Sequence, residues 1–134
     1  MTKKRAILHL TYDEHIIDAL QKIKFPIIGV GGKKFYVREK ARNETGIEHI
    51  ARKDHRLKVR DIEAIAEILI HPKFVCTDPD NPVYKSYYGI RKGEKQTLLL
   101  KIVTSPLKND KSREEIITIY PANSIKIEKE KKRR

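Results

Sequence analysis

The stretch VYKSYYGIRKGEKQTLLLKIVTSPLKNDKSREEIITIY, residues 83–120, decides the fold. It holds three strand signals, over residues 83–91, 96–104 and 115–120, each rich in β-branched, apolar or aromatic side chains. The short polar turn KGEK joins the first two, and a longer polar loop over residues 105–113 leads to the third. Consecutive strands with such connections favour an antiparallel meander. Alternation puts Ile116, Thr118 and Tyr120 on one face of the last strand, and Leu99, Lys101 and Val103 on one face of the strand before it.

Upstream of this meander the hydrophobic period changes from two to that of a helix. Residues 58–71 place Val59, Ile62, Ile65, Ala66 and Leu69 inward, and Pro72 ends the segment with His71 near the dipole. Residues 46–57, GIEHIARKDHRL, read as a helix with Ile47, Ile50, Ala51 and Leu57 on an oily side and His49, Arg52, Lys53 and Arg56 on a cationic side. On that spacing His55 points to a different sector from His49. Residues 12–23 carry Ile16, Ile17, Leu20 and Ile23 at helical spacing, with Thr11 as the expected N-cap, and Pro26 closes them. The run PIIGVGGKKFYV that follows reads as a hairpin turning at Gly31 and Gly32; its glycine spacing is not that of a phosphate loop. Residues 6–10 are a short strand candidate. The expected fold is α+β: N-terminal helices packed on a twisted antiparallel sheet, a meander of three or more strands. One domain covers residues 1–125, and residues 126–134 form a basic tail.

Charge narrows the class of partner. Thirty Lys and Arg stand against 18 Asp and Glu in 134 residues, a formal net charge of +12. The tail holds six of the cations and two of the anions, so the body alone is still at +8. Such a balance suits a polyanion, and nucleic acid leads. Cys76 is the only cysteine, which excludes an intramolecular disulfide and a multi-cysteine zinc site and fits a reducing compartment. The five histidines show no metal-ligand spacing, so neither a metal nor another cofactor is expected. The charged first residues and the lack of a long apolar run lead to the expectation of a soluble, cytoplasmic protein with no signal peptide and no membrane contact.

Several residues carry chemistry suited to a phosphate-bearing ligand. His49, an imidazole among the cations Arg52, Lys53 and Arg56, can move a proton beside a phosphate; the alternative is a solvated basic helix face with an incidental histidine. In residues 83–91 the tyrosines Tyr84, Tyr87 and Tyr88 interleave with Lys85 and Arg91, a pattern in which rings stack bases and cations hold phosphates, although tyrosine also serves strand packing. Lys101 interrupts the most apolar run of the chain, so it either snorkels at an edge or points into a cleft where an anion binds.

The order of these features resembles the phage-associated nuclease domains of the barnase, EndoU, colicin and RelE group. The resemblance rests on His49-Ile50-Ala51-Arg52-Lys53-Asp54-His55, on ILIHPKFV, on the Tyr/Lys strand, on the apolar strand and on the final ITIYP, and it spans residues 45–122. It implies helices followed by a twisted antiparallel sheet, and a metal-independent endoribonuclease of phage or toxin type. It further implies that His49 or His55 is the acid/base histidine, that Arg52 and Lys85 or Arg91 neutralise the scissile phosphate, and that Thr118 and Tyr120 lie in the cleft. Its partner would be RNA, with an acidic immunity or antitoxin protein as a candidate second one. Cleavage of this kind uses the 2′-hydroxyl as nucleophile and leaves a 2′,3′-cyclic phosphate. The rival expectations are a non-catalytic nucleic-acid-binding module and a phage accessory protein that docks on an acidic partner.

Overall fold

The computed structural model describes residues 11–78, 81–90 and 99–122. The expected strand at residues 6–10, the turn KGEK, Arg91 and the basic tail lie outside the described residues. The chain runs α1 (Glu14–Gln21), β1 (Ile27–Ile28), β2 (Lys34–Val37), β3 (Lys40–Ala41), β4 (Glu44–Thr45), α2 (Gly46–Ile50), α3 (Val59–Glu63), α4 (Ile65–Ile70), β5 (Phe74–Thr77), β6 (Lys85–Ile90), β7 (Leu99–Pro106) and β8 (Arg113–Ala122). The fold is α+β, with the helices on the N-terminal side of the meander, as the periodicity indicated.

Six strands form one sheet in the order β1-β2-β8-β7-β6-β5. The meander β5 to β8 is antiparallel throughout, with Tyr88 opposite Lys101 and Lys101 opposite Tyr120. A register shift between Val103 and Thr104 leaves Ile117 as an extra residue, since Thr118 faces Val103 and Ile116 faces Thr104. One pairing departs from the expected antiparallel sheet. The glycine hairpin β1–β2 docks along β8 in parallel, Lys34 to Arg113 through Val37 to Ile116, so the sheet is mixed. Two segments separated by most of the chain make that ladder, and no local signal encodes it.

One sheet face packs on the helices. Phe35, Tyr87, Leu100, Ile102, Ile116 and Ile119 meet Ile16, Leu20, Ile50, Ile62, Ile65 and Leu69 in the main core, each large side chain contributing roughly 1.5–3 kcal/mol by burial. The other face carries a smaller cluster of Cys76, Tyr88, Leu99 and Ala122.

Helix boundaries differ from the periodicity in instructive ways. Asp13 caps α1, its carboxylate accepting from the amides of His15 and Ile16, where Thr11 was expected. The long helix expected over residues 58–71 is two short ones that meet at Ala64, and Val59 at its start is exposed. The helix expected over residues 46–57 stops at Ile50. Arg52 is extended, a 3-10 turn covers Lys53–His55, and Arg56 is left-handed. The apolar side of that segment holds nonetheless, with Ile50, Ala51 and Leu57 buried. His49 and His55 therefore do not share the helical frame that would separate them.

Candidate active site

A two-residue turn at Arg42 and Asn43 joins β3 to β4, with Arg42 at φ +48°, and delivers Glu44 next to the helix that carries His49. Thr45 then caps α2 in a reciprocal box: its hydroxyl accepts from the Glu48 amide, and the Glu48 carboxylate accepts from the Thr45 amide. The chain is drawn in at this point, because Gly46 lies against the Arg38 backbone so closely that a Cβ there would sit 1.7 Å from the Arg38 carbonyl oxygen. Arg38 follows β2, its amide donating to the Ile116 carbonyl at 3.3 Å. A bridge between Tyr12 and Arg52, together with the Asp13 amide donating to the Ala51 carbonyl at 2.8 Å, ties the start of α1 to the segment after α2.

These constraints converge on Glu44. Its Oε1 accepts from His49 Nδ1 at 2.7 Å and from Arg52 Nη2 at 3.0 Å; its Oε2 accepts from Arg52 Nε at 3.2 Å and from the Tyr12 hydroxyl. The carboxylate is nearly enclosed, its side chain 6% exposed. Burial opposes its ionisation, but the hydrogen bonds from Tyr12, His49 and Arg52 outweigh burial and hold it below the usual glutamate range. Burial, reinforced by that neighbouring negative charge, pushes the Tyr12 phenol up to about 12.

The broken helix brings the second histidine in. The His55 ring meets the His49 ring edge to face, with centroids 5.5 Å apart and planes at 73°. His55 Nδ1 donates to the Ile50 carbonyl at 3.0 Å. A carbonyl and a carboxylate only accept, so Nδ1 carries the hydrogen in both rings and Nε2 is the nitrogen left for chemistry. Next to His49 opens a cleft of about 510 Å³ lined by Tyr12, Arg38, Arg42, Glu44, His49 and Arg52. Three arginines face one carboxylate there, and Arg38 Nε is buried without a hydrogen-bond partner. The cleft can hold an anion next to an anchored imidazole.

The other residues singled out from the sequence fall elsewhere. Lys53 and Arg56 are exposed at the 3-10 turn. Tyr88, Lys101, Thr118 and Tyr120 share the sheet face turned away from the main core. Lys101, 2% exposed, lies 3.4 Å from Asp78 Oδ1 and 5.7 and 5.3 Å from the ring centroids of Tyr88 and Tyr120. It is neither at a sheet edge nor snorkelling, and Thr118 Oγ1 is buried without a partner. Lys85 belongs to a third cluster around the buried Glu114, which accepts from the Tyr87 hydroxyl at 2.8 Å, from Thr104 at 2.6 Å and from Lys33 at 2.7 Å, with Lys85 Nζ at 3.6 Å. The contact with Lys33, together with burial, lowers the Lys85 pKa. Among the described residues no three His, Cys, Asp or Glu side chains are placed to hold a metal ion, and no helix is long and apolar enough to cross a membrane.

Sequence reasoning missed Tyr12, Arg38, Arg42 and Glu44. A partial signal was present: Thr45-Gly46-Ile47-Glu48 is a capping-box pattern, and it would have marked the residue before it as entering a helix start. Against known proteins, no family model, no curated protein and no solved structure matches the chain.

Proposed function

We propose that this protein is a ribonuclease that cleaves RNA through the neighbouring 2′-hydroxyl and leaves a 2′,3′-cyclic phosphate and a 5′-hydroxyl. The observation that carries the reading is the pair of imidazoles 5.5 Å apart, each anchored through Nδ1, of which His49 lines an arginine-rich cleft and His55 stands behind it. The motif order that resembles the barnase, EndoU, colicin and RelE group supports the same class, as does the net charge of +12.

In this mechanism His49 Nε2 accepts the proton of the 2′-hydroxyl as that oxygen attacks phosphorus. The P–O5′ bond then breaks, and the departing 5′-oxygen takes the Nε2 proton of His55, which enters this step as the imidazolium with both ring nitrogens protonated and leaves it neutral. Glu44 steadies His49 and stabilises the imidazolium formed, so the proton transfer does not leave an isolated charge beside the Arg52 guanidinium. Arg38 and Arg42 hold the non-bridging oxygens where negative charge grows in the transition state. Arg52 is engaged by Glu44 along two hydrogen bonds, which assigns it to fixing the carboxylate as much as to meeting the phosphate. No cofactor enters these steps.

The test is incubation of the purified chain with mixed tRNA and mRNA in EDTA, followed by analysis of the new ends. Cleavage that survives chelation and leaves cyclic phosphates supports the reading. Activity lost in EDTA and restored by magnesium overturns the mechanism, and RNA that is bound but uncut reduces the cleft to a binding site.

A further inference from the structure

We propose that the ammonium pair of Lys33 and Lys85, at the end of the sheet away from Arg38, is a contact for a backbone phosphodiester of a nucleic acid; this rests on the nucleic-acid partner of the ribonuclease reading and needs no cleavage. Strands β2, β6 and β8 begin at this end and β7 finishes there, which gathers Lys33, Lys85, Glu114 and Thr104. Glu114 is fully buried, and its Oε1 accepts from the Tyr87 and Thr104 hydroxyls, which leaves Oε2 to the lysines. Oε2 accepts from Lys33 Nζ at 2.7 Å, while Lys85 Nζ stands 3.6 Å from the same oxygen, outside ordinary hydrogen-bond range. Arg38 follows the other end of β2, roughly 17 Å away at the rise of an extended strand, so the pair is separate from the cleft beside His49.

The charges of this cluster do not balance. Two ammonium groups share one carboxylate, and both lysine side chains reach solvent, 28% and 39% exposed. Burial opposes the charge of Lys33, but its hydrogen bond to Glu114 outweighs burial and raises its pKa; contact with Lys33, and then burial, lowers that of Lys85. Glu114 thus serves the first ammonium and leaves the second in excess. One negative charge restores neutrality, which fits a phosphodiester better than the doubly charged phosphomonoester. The two ammonium groups are point charges without the planar fork that matches a carboxylate, so a tetrahedral oxyanion suits them. The loop from β7 to β8 brings the exposed Lys108 and Lys111 to the same end of the sheet, and the Lys34 amide, donating to the Ser112 carbonyl at 2.8 Å, ties that loop to β2. Its one acid, Asp110, accepts from the Ser112 amide and hydroxyl. Cations gathered in this way hold a nucleic-acid backbone whatever its base sequence.

The experiment uses the full chain and a short 2′-O-methyl RNA strand, which has no free 2′-hydroxyl to attack phosphorus, with affinity measured over a range of salt concentrations. Lys85→Gln, which keeps most of the stem and removes the charge, should lower the slope of log affinity against log salt by about 0.7 and weaken binding about fivefold at ~0.1 M salt. Lys33→Gln should act alike. Lys22→Gln, at an exposed lysine just after α1, should leave both quantities nearly unchanged. The side-chain NMR signals of Lys33 and Lys85 should shift with the strand and much less with inorganic phosphate at equal ionic strength. A slope that Lys85→Gln changes no more than Lys22→Gln does overturns the site, and so do lysine signals that ignore the strand or follow inorganic phosphate more strongly. Should Lys33→Gln fail to fold, Lys85→Gln and the wild-type signals decide. A wild type that binds the strand through these lysines yet leaves RNA uncut sinks the ribonuclease reading alone. A wild type that cuts RNA, with an unchanged slope in Lys85→Gln, sinks the site alone.

Discussion

Glu44 Oε1 accepts a hydrogen bond from His49 Nδ1 at 2.7 Å, across only five residues of chain, because a two-residue turn and a capped helix start lie on either side of it. The surroundings of His49 thus differ from those implied by its cationic sequence neighbours. A carboxylate is its nearest ionic partner, and this fixes which nitrogen faces the cleft.

In the proposed mechanism Glu44 is a positioning residue, and its removal should act through His49. Glu44→Ala is expected to lower kcat on the order of a hundredfold, the scale of a mispositioned acid/base group. Glu44→Gln, which keeps an oxygen to accept from Nδ1, should retain more. Steady-state kinetics with a dinucleotide substrate, together with the pH profile of kcat, checks this. A profile unchanged in shape and height in Glu44→Ala would remove the carboxylate from the mechanism.

The two histidines should behave as a pair. His49→Ala and His55→Ala are each expected to reduce turnover about a hundredfold or more, with RNA affinity nearly kept. The wild-type pH dependence of kcat/KM should be bell-shaped, and each single variant should lose one limb of the bell. A His55→Ala protein with wild-type turnover would show that the edge-to-face contact is packing only.

Glu114 should govern acid stability. Burial opposes its ionisation, but hydrogen bonds from Lys33, Thr104 and Tyr87 outweigh burial and hold its pKa below the usual value. A depressed carboxylate pKa contributes stability that is present above the unfolded value, near 4.3, and is lost as pH falls through the folded one. Unfolding by urea from pH 7 to pH 3 should show wild type losing more stability below about pH 4.3 than Glu114→Gln does. Glu114→Ala at pH 7 should cost about 3 kcal/mol, because Lys33 and the Tyr87 and Thr104 hydroxyls lose their common acceptor.

Gly46 should be intolerant for a reason unlike that of the hairpin glycines. Its added Cβ would meet the Arg38 backbone, which cannot swing aside, so Gly46→Ala is expected to cost about 3 kcal/mol, the upper end for overpacking, and to move His49. Gly31, at φ +69°, has open space around it, and Gly31→Ala should cost only about 1 kcal/mol through backbone strain. Thermal unfolding of both variants, with activity of the folded fractions, separates the two effects.

Much of this fold is written in local pattern. Strands β6, β7 and β8 of the four-stranded meander follow from alternation and polar turns, the β1–β2 hairpin from its paired glycines, the stop of α4 from Pro72 and the buried stripe of Ile50, Ala51 and Leu57 from its spacing. Each depends on preferences felt within a few residues, where side-chain period and backbone freedom act directly. The break after Ile50 escaped that logic. A cationic face at helical spacing is equally compatible with an extended Arg52 tied to Glu44 and bridged to Tyr12, and tertiary bonds chose the latter.

The sequence by itself determined the α+β class, the order of the helical segments, the glycine hairpin and three meander strands, the basic charge and the histidine motif, whereas β3, β4 and β5, the last running into the Asp- and Pro-rich stretch from Cys76 that reads as a loop, had no counterpart in the pattern. Only the tertiary structure decided that β2 lies parallel to β8, that Tyr12 reaches Glu44 from 32 residues away, that Arg38 opens onto the same cleft, and that Lys85 serves Glu114. The physical reason is range. Hydrophobic period reports which face of an element is buried, whereas hydrogen bonds to a nearly enclosed carboxylate depend on which distant donors the packed core sets beside it, and periodicity within one element carries no record of them.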